Sequence, residues 1–305
     1  MRVFVTGASG WIGSAIVPEL LGAGHRVVGL ARSDAAAAAL AAAGAEVQRG
    51  TLDDLDVLRA AAAASDGVIH TAYKHDLSFS GDFQGAADAD LLAIDALGEA
   101  LVGSDRPFVI ASGTAGLTPG VLGTEDDRPD PTTPGGARIR SEVATLALAA
   151  RGVRSSSIRL SPTVHGQGDH GFIPIVIRAA RAKGISAYIG DGSNRWPAVH
   201  RFDAARLFRL AAERGPAGSV FHAVADEGVP IRAVAEVIGR HLDLPVVSIT
   251  PEEAGEHFGF LAGFLARDLP ASSALTRERL GWEPTHPGLI DDLDQGHYFE
   301  SSEGN

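Results

Sequence analysis

Arg2-Val3-Phe4-Val5-Thr6-Gly7-Ala8-Ser9-Gly10-Trp11-Ile12-Gly13 opens the chain, and the reading of this stretch decides the fold. A short apolar run, Val3–Thr6, passes at once into a turn with glycines at 7, 10 and 13, and Trp11–Leu21 then follows a helical pattern. Each glycine has its own task in such a turn. Gly7 permits the tight bend, Gly10 lets the backbone approach a pyrophosphate, and Gly13 lets the helix pack closely on the sheet. Unpaired amides and the positive end of the helix dipole then favour phosphate. Placed between a strand and a helix, the pattern predicts a dinucleotide site built from Gly7, Ser9, Gly10, Trp11, Ile12 and Gly13.

Outward from this turn, strand and helix patterns alternate. Arg26–Leu30, Glu46–Gln48, Gly67–His70, Phe108–Ser112 and Arg154–Leu160 read as strands. Asp34–Ala43, Leu55–Ala64, Asp82–Leu101 and Arg138–Ala150 read as helices. Short links between them imply parallel strands, because each crossover helix returns the chain to the same edge. The expected fold is α/β: a doubly wound parallel Rossmann sheet with a smaller C-terminal α/β substrate lobe. Residues 1–165 are expected to form the nucleotide-binding domain, with 196–223 returning to it; 166–195 and 224–305 form the lobe. Between Ser112 and Arg138 a Gly/Pro/Thr/Asp-rich stretch predicts a functional loop.

Composition narrows the partners. With 26 basic and 38 acidic residues the formal charge is −12, which argues against nucleic acid. The chain has no cysteine, so disulfides, thiolate metal sites and a thiol nucleophile are excluded. No His-x-x-x-His pair occurs on a helix, and no metal is expected. A Gly-x-Ser-x-Gly elbow is also absent, which removes support for a serine hydrolase. The N-terminus turns glycine-rich too soon for a signal peptide, and no run is long or apolar enough to span a bilayer, so the expected address is the cytoplasm, with no membrane partner.

Cofactor choice is read at the end of the second strand, where an acidic residue holds the ribose of NAD. Here the order is Leu30-Ala31-Arg32-Ser33-Asp34. Arg32 can pair with a 2′-phosphate through its planar fork and Ser33 can donate a hydrogen bond, which favours NADP(H) over NAD(H). Asp34 is the residue that pulls the other way.

Thr6–Gly13 resembles the cofactor fingerprint of the extended short-chain dehydrogenases/reductases, the NAD(P)-dependent epimerase/dehydratase family, and the likeness continues along nearly the whole chain. Val68-Ile69-His70-Thr71-Ala72 resembles its fourth-strand motif, and Phe108–Thr114 the strand carrying its active-site Ser/Thr. Arg159–Gly166 and Trp196–Asp203 resemble two later motifs, and the atypical subgroup is the nearest in pattern. The resemblance implies that Leu52, Ala72 and the backbone of Pro162–Val164 line the cofactor beside Arg32 and the turn. It also implies a substrate site between sheet and lobe, and a homodimer through the 82–101 and 138–150 helices.

The match breaks at the family's Tyr-x-x-x-Lys pair, whose positions fall near Pro134 and Arg138. No tyrosine occurs between Tyr73 and Tyr188. Three readings follow. In the first, an NADP(H)-dependent oxidoreductase acts on a small carbonyl or hydroxyl compound. Ser112 or Thr114 binds the substrate oxygen, and Tyr73, Lys74 or His165, with His75 and Asp76 close by, replaces the missing pair. Arg138 would then hold a ribose or a charged substrate, since arginine cannot act as a general acid at its normal pKa. In the second reading the chain is a non-catalytic NADP(H) sensor. In the third it is a sugar-nucleotide epimerase or dehydratase using Arg178, Arg181, Lys183 and Arg195, although a solvated helix face explains those residues more simply. Among the remaining polar residues, His70 reads as a structural histidine, Asp203 as a helix N-cap, His200 as a brace for the lobe, and Trp282 as packing.

Overall fold

The strand runs found in the sequence join one sheet in the computed structural model, which describes residues 1–129 and 138–300. In chain order the strands are β1 (Arg2–Thr6), β2 (Arg26–Ala31), β3 (Glu46–Arg49), β4 (Gly67–His70), β5 (Pro107–Gly113), β6 (Arg154–Leu160), β7 (Thr163–His165), β8 (Ser186–Ile189), β9 (Arg195–His200), β10 (Ser219–Ala223), β11 (Asp226–Pro230) and β12 (Val246–Ile249). Seven of them form the large sheet in the order β10-β6-β5-β4-β1-β2-β3, and every pairing is parallel. The direction of winding reverses between β1 and β4. A doubly wound sheet binds its ligand outside the carboxyl ends of the strands at that reversal.

The helices needed here are α1 (Gly13–Gly22), α2 (Asp34–Ala42), α3 (Leu55–Ala63), α4 (His75–Phe79), α5 (Phe83–Glu99), α6 (Ile139–Ala147), α7 (Phe172–Lys183) and α8 (Arg201–Arg214). Strand alternation splits the core into two layers. Val3 and Val5 of β1 pack in one cluster with Ile16 and Leu20 of α1 and Leu207 and Phe208 of α8. Phe4 enters the opposite cluster, with Leu58 of α3 and Ile94 and Leu97 of α5.

A third cluster, Ile173, Ile177, Trp196, Val234 and Ile238 among others, fills the C-terminal lobe. The stretch 196–223 divides between the two bodies. β9 pairs with β7 and β11 in a small separate sheet, whereas α8 and β10 return to the large one. Two differences from the expected elements are local. The helix expected over Asp82–Leu101 begins at Phe83, because the Asp82 carboxylate accepts from the Gly85 amide at 2.9 Å as its cap, and an unexpected short helix, α4, precedes it. Asp203 is not the cap of α8. His200 fills that position, its Nδ1 accepting from the Phe202 amide. Asp203 instead accepts from the amides of Thr285 and His286, tying that loop to the helix. Trp282 is fully buried and donates to the Asp203 carbonyl at 2.9 Å. No helix among the described residues is long and apolar enough to cross a membrane.

Candidate functional site

The glycine turn lies on one side of the winding reversal. Gly7 has φ +67°, and a Cβ there would meet the Ala72 amide nitrogen at 2.7 Å. A Cβ on Gly13 would stand 2.0 Å from the Gly7 carbonyl, so α1 packs against the turn backbone to backbone. Gly10 is exposed, and a Cβ there would meet only the Gly7 carbonyl, at 3.1 Å. The amides of Trp11, Ile12 and Gly13 have no acceptor among the described residues. An open approach at Gly10 together with free amides at a helix start fits a pyrophosphate.

Trp11 has a second task. Its indole donates to the Val164 carbonyl at 2.9 Å, and the Arg201 guanidinium covers the ring at 4.1 Å. The side chain is thus a strut from the turn to β7, and it takes the Val164 carbonyl out of the set expected to face a cofactor. Half-buried Pro162 and Ile12 and exposed Ser9 lie on the same two segments.

At the ends of β2 and β3, Arg32 is exposed and makes no ion pair or hydrogen bond with any described residue. Ser33 Oγ is occupied as the cap of α2, accepting from the Ala36 amide at 3.2 Å; its own proton is still available. Asp34 is held by Arg49 at 2.5 Å. Leu52 is buried beside this edge.

β4 and β5 carry the remaining polar groups. His70 is buried between Thr6 Oγ1 at 2.7 Å and Asp90 at 3.1 Å, and the Ala72 amide donates to the same Thr6 oxygen at 3.3 Å. Burial alone would raise the Asp90 carboxyl, but the His70 hydrogen bond and charge, with Arg138 behind them, hold it below the usual carboxylate range. This places His70 in the frame of the site as a satisfied core residue.

Tyr73, half-buried, follows directly. Its ring lies under the Arg138 guanidinium at 4.3 Å and against the edge of His75 at 5.1 Å. Arg138 also donates from Nη2 to the Ala111 carbonyl of β5 at 2.8 Å, and its buried Nε has no partner among the described residues. Desolvation first, and the Arg138 charge second, lower the His75 pKa below the ordinary imidazole value. Ser112, next along β5 from Ala111, is 6% exposed, and its hydroxyl donates to no described residue. Thr114 is 1% exposed, and its hydroxyl donates to the Leu160 carbonyl at 3.4 Å. Of these two hydroxyls, that of Ser112 is the one uncommitted among the described residues.

Two other expected donors are drawn elsewhere. Lys74 Nζ meets both carboxylate oxygens of Asp53 at 2.7 Å, which pulls it toward the loop after β3 and away from β5. His165 is wholly buried; its Nδ1 pairs with Asp292 at 2.8 Å and its ring meets His200 edge-on at 5.4 Å. It belongs to a histidine stack, completed by His286 at 4.6 Å from His200, and is closed off from solvent. Pro134 lies outside the described residues. The basic residues weighed for a sugar diphosphate are mostly spent: Arg181 on the Phe299 carbonyl, Lys183 on Glu256, and Arg195 on Asp268 through two bonds.

Sequence reasoning missed Arg49 and the Thr6–His70–Asp90 network. Both are long-range pairings between strand ends and a helix, and only the parallel register could have signalled them. It also missed the role of Arg159. That buried guanidinium donates to Glu142 at 2.7 Å and to the Asp127 carbonyl at 2.9 Å, locking α6 and the loop after β5 to β6.

The sheet order and the open glycine turn at the winding reversal define a Rossmann-type fold with a candidate dinucleotide site. Residues 3–223 match the model of the NAD dependent epimerase/dehydratase family, and the chain belongs to that family. It is 55% identical to an uncharacterized protein of Schizosaccharomyces pombe, over 98% of this chain and 100% of the other. A farnesyl-dihydroquinoline-oxide ketoreductase of Stigmatella aurantiaca is 28% identical over 85% of this chain and 80% of its own. In fold, the UDP-glucose 4-epimerase of Thermotoga maritima, solved with UDP-glucose, superposes with a TM-score of 0.77 at 20% identity, covering 98% of each chain.

Proposed function

We propose that the chain is an NADP(H)-dependent oxidoreductase of small, largely apolar carbonyl or hydroxyl compounds, with Tyr73 as its proton donor. The observation that carries this reading is the Arg138 bridge: one guanidinium covers the Tyr73 ring and hydrogen-bonds the β5 carbonyl beside Ser112. A phenol from the segment after β4 would thereby take the part of the tyrosine that the family pattern expects near Pro134. Bound at the turn, with its 2′-phosphate toward Arg32, NADP(H) would supply or accept the hydride. Ser112 would donate its free hydroxyl proton to the substrate oxygen, and Tyr73 would pass a proton to that oxygen as it gains charge. Arg138 would orient the phenol and neutralise the developing negative charge. His75, at the Tyr73 ring edge and with a lowered pKa, would take part as the neutral imidazole.

An apolar substrate is supported by Ala115, just past Thr114, which packs against the same apolar cluster of the lobe as Phe172 and Phe264. The spent basic residues speak against a sugar diphosphate. Exposed Leu92 on α5 and Val143 on α6, at 56% and 61%, support the homodimer. The test is a panel of ketones and aldehydes assayed with NADPH and NADH. Turnover with NADPH and an apolar ketone is expected; binding of NADPH without turnover of any member would hand the case to the sensor reading.

A further inference from the structure

Arg49 ends β3, and its place is set by register rather than by any motif. It pairs with Ala31 across the two strands, and the next amide, Gly50, donates to the Ala31 carbonyl at 3.1 Å. From there its guanidinium reaches back over the turn after β2. Nη1 donates to the Ser33 carbonyl at 2.6 Å and Nη2 to the Asp34 carboxylate at 2.5 Å. The Asp34 side chain is otherwise fully exposed, and Arg49 is its one ionic partner among the described residues. An acid at this strand end is the feature that repels a 2′-phosphate and holds a bare ribose.

We infer that Arg49 is a specificity-determining residue for the cofactor, acting by cancelling Asp34. With the pair in place, Arg32 remains as uncompensated positive charge beside a 2′-phosphate. Without Arg49, Asp34 neutralises Arg32 and presents a carboxylate to the phosphate. The bond to the Ser33 carbonyl fixes the turn that carries all three residues, so the fork both neutralises and positions. The inference rests on the NADP(H) reading above and extends it to a second arginine.

The experiment is a fluorescence titration of the full chain with NADPH and with NADH, for wild type, Arg49→Met, Arg49→Lys, Asp34→Asn and the Arg49→Met/Asp34→Asn double variant. Arg49→Met is expected to weaken NADPH about fivefold to tenfold and not to weaken NADH, whose bare ribose the freed Asp34 can hold. Adding Asp34→Asn restores most of the loss, because the carboxylate that Arg49 masks is gone. Asp34→Asn alone changes NADPH binding little, and Arg49→Lys, which keeps the charge, retains the preference. Matching melting temperatures confirm that each variant is folded. A wild type that prefers NADPH, with a preference unmoved by Arg49→Met, overturns the role of Arg49 alone; so does a double variant as weak as Arg49→Met. A wild type that prefers NADH overturns the cofactor reading and this inference with it.

Discussion

At the scale of single residues the proposed chemistry rests on Tyr73, Ser112 and Arg138. Tyr73→Phe keeps the ring under the guanidinium and removes only the hydroxyl, so kcat should fall about 10²-fold to 10⁴-fold with little change in NADPH binding. Ser112→Ala should lower kcat about 10²-fold, the usual worth of one hydrogen bond to a developing oxyanion, whereas Thr114→Ser should be nearly silent because that hydroxyl already serves Leu160. Steady-state kinetics on the best ketone reads all three; a full-rate Tyr73→Phe would remove it from the chemistry. Only part of this could be read from the sequence. Tyr73 and Ser112 follow from their places at strand ends, but Lys74 and His165 had equal standing there. Their commitments to Asp53 and Asp292 come from residues 21 and 127 positions away, beyond any local pattern.

At the scale of elements, six of the seven strands of the large sheet were legible, most of them because a parallel strand covered on both faces is apolar along its length. Edge strand β3 is largely exposed and polar, and β10 was not read as a strand. β4 and β6 fall where the sequence puts them. β6 is nevertheless unusual, with Ser155, Ser156 and Ser157 all buried. Ser157 donates to Glu142 at 2.8 Å, joining the Glu142–Arg159 pair. That pair is buried on both sides, so removing one partner strands a charge. Glu142→Ala should cost about 3–5 kcal/mol, to be read by chemical denaturation; a loss below about 1 kcal/mol would show the pair to be solvent-relaxed. The opening turn was legible for a stricter reason: each glycine answers a contact. Gly13→Ala should abolish dinucleotide binding, because its methyl would stand against the Gly7 carbonyl. Caps were harder to read, since His200 and Asp203 both suit an N-cap, and the loop at Thr285 and His286 decides between them.

At the scale of the whole molecule, the lobe is fastened to the sheet domain through histidines kept uncharged. Burial first, and the neighbouring His165 and His286 second, depress His200 to about 4. His222, buried between β6 and the segment at Ser272, is likewise lowered to about 4, chiefly by burial. Both folded values lie below the ordinary 6.5, so the unfolded chain takes up protons that the folded one refuses. Stability is therefore present above pH 6.5 and is lost as the pH falls from there toward about 4, by up to several kcal/mol for the pair. A series of melting temperatures between those limits checks it, and His200→Gln should flatten the fall; a level curve would contradict the buried neutral histidines. The central claim, however, is that Tyr73 gives the proton to a substrate reduced by NADPH bound at the dinucleotide turn. Single-turnover oxidation of bound NADPH by an apolar ketone, followed at the nicotinamide absorbance for wild type and Tyr73→Phe, tests it most directly. Wild type should show a rapid decay and Tyr73→Phe one slowed at least about a hundredfold, with NADPH still bound. Equal decay in both, or none in either, would contradict it.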